Sequence, residues 1–350
     1  MLRFLSLIIS SSLIIISAAK ANGLSEGFVA SARKHIQIVG SSTVYPFTAV
    51  IAETFGRDTE FKTPIVESTG TGGGFKLFCS GVGFNFPDFS NASRKIEPSE
   101  IKKCAENGAK ETVEIKIGYD GIVLANSTLG QKFSLTKNQV FLALAQKVPS
   151  KNGGSLIDNP YQKWSDIDAS LPAIKIAVYG PPTTSGTRDA FVELVMEEVC
   201  VNMKEFSAAF PDGKIRKKKC HVIRSDGKFI EAGENDNLIV QKLKNDHNAL
   251  GIFGFSFLEE NHDTIQPAVI NKVMPSFDNI VSGSYPVSRP LFIYFKKEHL
   301  NLIPGIKEFV TEIVSKNTIG KDGYLLQKGL IPLTDLELKK VRDEVTKNLK

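Results

Sequence analysis

Apolar residues along this chain fall into two alternating rhythms. Short runs at His35–Val39, Ile174–Tyr179 and Ala249–Phe255 read as buried strands, and glycine or proline follows closely, as in Gly180-Pro-Pro182. Other apolar residues recur at helical spacing. Val44, Phe47, Ile51 and Phe55 mark one helix, and Phe191, Leu194, Val195 and Val199 mark the inward face of another that runs from Asp189. Glu97-Pro98 opens a further helix and Asn107-Gly108 closes it, with proline in the first turn and glycine just past the end. This β–loop–α alternation predicts an α/β protein with open sheets, whose ligands sit beyond the carboxyl ends of the strands.

Two segments read as crossings between domains. Val113–Ala125 is a long apolar strand in which Gly118-Tyr-Asp-Gly121 suggests a flexible turn, and Gly283–Tyr294 is a second passage. Residues 34–117 and 288–350 then form one lobe from the two ends of the chain, and 118–287 form the other. A bilobed body with such a hinge closes over a ligand in its cleft. The last helix starts at a capping box, Thr334 with Glu337, and carries an apolar stripe of Leu338, Val341, Val345 and Leu349 that reads as packing.

The length of 350 residues suits two domains of ordinary size. The first residues have the parts of a secretory leader: Arg3, an apolar stretch from Leu5 to Ile16, and Ala19-Lys20-Ala21 as a small-x-small cleavage site. Residues 1–21 are therefore read as a signal peptide and the mature chain as exported. Losing Arg3 and Lys20 lowers the formal charge from +5 to +3, a mild balance that says little about partners. The densest basic run, Lys214–Lys219, has no interleaved aromatic residue and reads as a solvated loop, not a nucleic-acid surface. Cys79, Cys104, Cys200 and Cys220 in an exported chain argue for disulfides. Three pairings are open; the economical one is Cys79–Cys104 with Cys200–Cys220, each within one expected lobe. No zinc-type spacing occurs, and no metal or cofactor is expected.

Three small, hydroxyl-rich turns carry the candidate chemistry: Gly40-Ser-Ser-Thr-Val44, Ser68-Thr-Gly-Thr-Gly-Gly-Gly74 and Thr183-Thr-Ser-Gly-Thr-Arg188. Each opens an expected helix, where unpaired N–H groups and the positive end of the macrodipole favour an anion. Converging, they would hold a small tetrahedral oxyanion. The glycine loop fails as a nucleotide motif, because Lys76 is followed by Leu77 and position 75 is Phe. The five histidines, His35, His221, His247, His262 and His299, lie in no nucleophile motif, there is no G-x-S-x-G elbow, and solvent exposure is expected for them. Arg94, after Ser93, and Arg188, after Thr187, are the candidate cations, since a guanidinium fork matches two oxygens of a phosphate; the alternative for each is a salt bridge.

Taken in order, Gly40–Pro46, Gly70–Lys76, Asp88–Arg94, Gly118–Ile122, Ser185–Thr187, Leu250–Gly254 and Tyr285-Pro286 resemble the periplasmic phosphate-binding proteins of the ABC-type phosphate-uptake system, over nearly the whole mature chain. The resemblance implies a type II periplasmic-binding-protein fold, two α/β lobes joined by a two-crossing hinge with phosphate buried in the cleft. It implies a periplasmic, non-enzymatic, monomeric carrier that hands inorganic phosphate to membrane permease subunits. It places ligand groups on Thr43 and Val44, on Thr71 and Gly72, and on Ser185, Gly186 and Thr187; Ser42 and Ser93 are further candidates for the ligand site. The sequence departs from the family pattern twice: Arg94 stands where an Asp commonly accepts the phosphate proton, and Pro181 stands where an Arg is common. Asp120, Asp88 and Asp189 are the candidates for the displaced acceptor, Asp120 first; a turn-forming role is the alternative reading for Asp120. Other readings are a receptor for another oxyanion, such as sulfate or molybdate, and an exported phosphoesterase.

Overall fold

Each half of the chain contributes a set of parallel strands that sets where the loops open. A computed structural model describes residues 33–233 and 235–349; the leader read at residues 1–21 lies outside them. Lys34–Lys350 is one compact unit. Its main strands are β1 (Gln37–Gly40), β2 (Ile65–Ser68), β3 (Phe89–Ala92), β4 (Thr112–Ser127) and β5 (Val178–Gly180). They continue with β6 (Phe229–Glu231), β7 (Leu250–Gly254), β8 (Ile265–Pro267) and β9 (Ser288–Lys296). The helices used below are α1 (Tyr45–Asp58), α2 (Thr71–Phe78), α3 (Pro98–Glu106), α4 (Lys137–Leu144) and α5 (Gly186–Phe191). Four more follow: α6 (Gly213–Cys220), α7 (Asp236–Asn245), α8 (Ile306–Ile313) and α9 (Asp335–Asn348).

The strands form one nine-stranded sheet in the order β2-β1-β3-β9-β4-β7-β5-β6, with β8 also on β4. β1, β2 and β3 run parallel, so their carboxyl ends, at Gly40, Ser68 and Ala92, lie along one edge. β5, β6 and β7 form a second parallel set. The two sets meet through the antiparallel pair of β4 and β9. β4 pairs with β9 from Thr112 to Gly121 and with β7 from Ile122 to Ala125. Side chains along β4 are buried almost throughout, as expected for a central strand covered on both faces.

Packing seats the helices that the site depends on. Phe309 of α8 meets Phe55 of α1 and Phe89 of β3 edge-on, at 5.2 and 5.3 Å between ring centres. A smaller apolar cluster holds α2: Phe75 stacks edge-on against Tyr294 at 5.2 Å, and the Cys79–Cys104 disulfide ties the end of α2 to α3. Cys200–Cys220 is the other disulfide, so the economical pairing is the one formed.

Several local expectations are corrected. Gly118–Gly121 makes no turn; it continues β4, because β9 pairs along its length from Ser288 to Lys296. Asp120 is therefore a strand residue. Of the Ile174–Tyr179 run only Val178 and Tyr179 are strand, in Val178–Gly180, since the backbones of Ile174 and Ile176 bond Trp164 and Gln162 instead. The helix begins at Gly186, not Asp189, and after Phe191 it passes into a π-helical turn, Val192–Glu197. The wider turn rotates the inward face, so Val192, Val195 and Met196 are buried while Leu194 and Val199 are only partly so. Lys214–Lys219 is helical, as α6, because the Asp212 carboxylate caps its first turn. His299 is fully buried: its Nδ1 lies 2.6 Å from Asp88 Oδ1, and Gly83 N–H donates to its Nε2 at 3.0 Å. Among the described residues no helix is long and apolar enough to cross a membrane.

Candidate functional site

The turns after β1 and β2 open α1 and α2 at the carboxyl edge, and close backbone contact draws them together. Gly40 has φ +130°, and a Cβ there would collide with the Asn91 carbonyl; one on Gly74 would strike the Gly40 backbone. Only glycine allows α2 to lie this close to the end of β1. Asn91 then holds the first turn, its carbonyl accepting from Ser41 N–H at 2.9 Å and its Oδ1 accepting from Thr48 Oγ1 at 2.9 Å. Thr69 N–H donates to the Gly40 carbonyl at 2.8 Å, and Ser93 N–H donates to Thr71 Oγ1 at 3.1 Å.

These helix starts differ from several others in the molecule. α3, α4 and α9 each begin with a capping box, so their own side chains satisfy the first N–H groups. Neither α1 nor α2 has a side-chain cap from its N-cap residue, and neither has an acid in its first turn. No carboxylate in the first turn offsets their positive ends, which favours an anion there, although in α1 the N–H groups of Tyr45 and Phe47 already donate to the Ser41 and Val44 carbonyls. α5 is intermediate: Ser185 Oγ accepts from Thr187 N–H at 3.2 Å, and Asp189 lies in the first turn. The third turn nevertheless packs on the first. A Cβ on Gly186 would lie 3.3 Å from the Ser42 carbonyl oxygen and 3.4 Å from Thr43 Cα.

The cation at this convergence is Arg289 of β9, its side chain only 9% exposed. The β4–β9 register sets it directly opposite Asp120. Arg289 Nη2 donates to Thr43 Oγ1 at 2.7 Å, Nη1 pairs with Glu193 of the π-helical turn, and Nε lies 3.6 Å from Asp120 Oδ2. One guanidinium thus touches the start of α1, the segment after α5 and strand β4. Asp120 Oδ2 and Arg289 Nε are both buried without a hydrogen-bond partner. Burial raises the Asp120 pKa, the Arg289 charge opposes that rise, and Glu193 adds to it.

Thr43, Val44, Thr71, Gly72, Ser93, Asp120, Ser185, Gly186 and Thr187 accordingly lie on the joined turns or beside Arg289. Arg94 is next to them, its Nη2 4.0 Å from where a Gly72 Cβ would sit. Its fork is engaged: Nη1 and Nη2 donate to Glu100 at 2.9 and 2.8 Å, and Nη1 also donates to the Lys95 carbonyl at 3.0 Å. Arg188 turns elsewhere, donating to the Pro181 carbonyl at 3.0 Å and lying over the Phe229 ring at 4.5 Å. Sequence reasoning missed Arg289, Glu193 and Glu100. Arg289 had one available signal, as the lone charge in the apolar passage from Gly283 to Tyr294. Its pairing with Asp120 needed the register of two strands far apart in the chain.

Parallel strands that open uncapped helices around a buried cation define a binding protein. The chain belongs to the PBP superfamily, whose domain it matches over residues 29–317. It is 30% identical to the protein SphX of Synechococcus elongatus over 74% of this chain and 67% of that one. It is also 30% identical to the phosphate-binding protein PstS of Staphylococcus saprophyticus, over 77% of this chain and 73% of the relative. A solved structure of a possible phosphate binding protein from Planctomyces limnophilus is 27% identical, with a TM-score of 0.72 over 91% of this chain and all of that one. The ABC-type phosphate transport receptor of Vibrio cholerae, 19% identical with a TM-score of 0.56, shares the fold over 85% of this chain and all of that one. The family and type II fold implied by the sequence motifs are borne out.

Proposed function

We propose that this chain is an exported receptor that captures inorganic phosphate and delivers it to the membrane permease of an ABC importer. The observation that carries the reading is Arg289, a buried guanidinium bonded to Thr43 at the uncapped start of α1 and aligned with Asp120. Phosphate is held by N–H and hydroxyl groups of Ser42–Val44, Thr71–Gly72, Ser93 and Ser185–Thr187, with Arg289 as the principal cation. The Arg94 Nη2 N–H that is not bonded to Glu100 adds one further donor. Asp120 takes the phosphate proton, which sulfate lacks, and so rejects sulfate by leaving two acceptors facing each other. Names of the relatives, phosphate-binding protein among them, support the same ligand and a carrier instead of an enzyme.

Lobes of 34–117 with 288–350, and of 118–287, fit the sheet, because β4 changes partner between Gly121 and Ile122 and β9 begins at Ser288. Closure of the two as a monomer brings the third turn onto the first. Micromolar capture needs about −8 kcal/mol, and charge-assisted hydrogen bonds of roughly 1.5–3 kcal/mol each supply it with a handful of donors. Calorimetric titration of the mature protein with phosphate, then sulfate, tests the assignment. Micromolar or tighter phosphate binding without a sulfate response is expected. Equal binding of both anions contradicts the role of Asp120, and no heat from either removes the anion site.

A further inference from the structure

Arg188 does not serve the turn it follows. It lines a separate hollow of about 520 Å³ together with Thr183, Lys218, His221, Phe229 and Glu231. Its side chain is only 8% exposed. Among the described residues its one hydrogen bond is to the Pro181 carbonyl, although a guanidinium has five N–H donors. The nearest carboxylate, Glu231, is 3.8 Å away and half exposed. Burial accordingly holds the Arg188 pKa below the ordinary arginine value, with Glu231 and Asp189 only partly offsetting it.

Arg224, which lines the same hollow, shows what a purely structural arginine is like here. It is 4% exposed and donates to the carbonyls of Ala143, Tyr161 and Asn159 and, through two nitrogens, to Asp226. Arg188 is equally buried and mostly unpaired. A buried cation with idle donors, opening on a hollow that exposed Lys218 also lines, is an anion receptor by its chemistry; His221, also on the lining, is held by Glu197 at 2.7 Å.

We propose that this hollow is a second binding site, for a small organic anion carrying two or more carboxylate or phosphate groups. The volume lies in the range of small-molecule sites and is generous for a bare ion. Arg188 forks onto one acid group, Lys218 meets another, and the Phe229 ring forms the apolar wall beneath Arg188. Glu231 swings aside on binding, since its carboxylate on the lining repels the ligand. This site takes Thr183 and Arg188 from the ends of the third turn and none of the residues placed around Arg289, and it stands whether or not those turns hold phosphate.

The test follows the Arg188 Nε–H and the Ser225 and Phe229 amides by ¹⁵N NMR while citrate, or separately fructose 1,6-bisphosphate, is added. The mature protein is first saturated with inorganic phosphate. Saturable shifts at these positions are expected, and the probe that saturates at lower concentration names the acid group preferred. Lys218→Ala, at an exposed position, is expected to weaken binding about tenfold, the loss of one charge-assisted hydrogen bond, and Arg188→Gln more. Shifts that never saturate, that survive unchanged in both variants, or that occur only at Thr43 and Ser93 overturn the proposal. Absence of a phosphate response at Thr43 in the first step would instead count against the phosphate reading of the Arg289 site alone.

Discussion

Asp120 sits under opposed electrostatic demands. Burial raises its pKa despite the guanidinium of Arg289 at 3.6 Å, so the fold on balance disfavours the ionised form. The sign follows from linkage. A carboxyl with a raised folded pKa contributes stability below its unfolded pKa, about 3.9, and loses that contribution as pH rises through the folded value. Asp120→Asn removes the cost of holding a buried charge at neutral pH. The ligand-free variant is expected to melt at a higher temperature than the parent at pH 8, with the gap narrowing toward pH 4. It is also expected to bind phosphate more weakly and to lose discrimination against sulfate. A lower melting temperature at pH 8 would show that Asp120 stabilises Arg289 more than burial costs it. At this scale the hydroxyls and glycines of the three turns were legible, because their composition announces a helix start. Arg94 was only half legible: its place beside Gly72 follows from the segment, but its occupation by Glu100 depends on how α3 is capped.

Among the elements, helix starts separate structure from function. α9 is a structural start: Glu337 closes its capping box, and also accepts from Lys116 Nζ at 2.8 Å and Tyr119 O–H at 2.6 Å, tying α9 to β4. Burial works to raise the Glu337 pKa, but bonds from Lys116, Tyr119 and Thr334 outweigh it and bring it down to about 2. A depressed carboxylate stabilises above its unfolded pKa, and that stability is lost as pH falls toward the folded value. Glu337→Gln is therefore expected to cost up to roughly 3 kcal/mol at neutral pH, with parent and variant converging between about pH 4 and 2. Urea unfolding across that interval checks it, and a constant gap would contradict the pKa assignment. The capping box was visible in the sequence as Thr334 and Glu337; the partners on β4 were not, since they come from strand packing. The supposed turn at Gly118–Gly121 failed for the same reason, because its glycines lie in a strand whose partner is distant in the chain.

For the whole molecule, the β4–β9 pair is both the spine of the sheet and the support of the site. It joins two parallel sets whose carboxyl ends carry the binding turns, and it brings Arg289 to Asp120. Alternating strands and helices made the α/β class readable, and two long apolar passages marked where the chain crosses. Which cation those passages would deliver was hidden in their register. The central claim is that Arg289 is the cation that holds phosphate at the uncapped starts of α1 and α2. It is tested most directly by calorimetric phosphate titration of Arg289→Gln beside the parent, with thermal melting to confirm that both are folded. Loss of binding by about a hundredfold or more is expected, as more than one charge-assisted hydrogen bond disappears. Affinity within about twofold of the parent would contradict the assignment and return the anion to another part of the molecule.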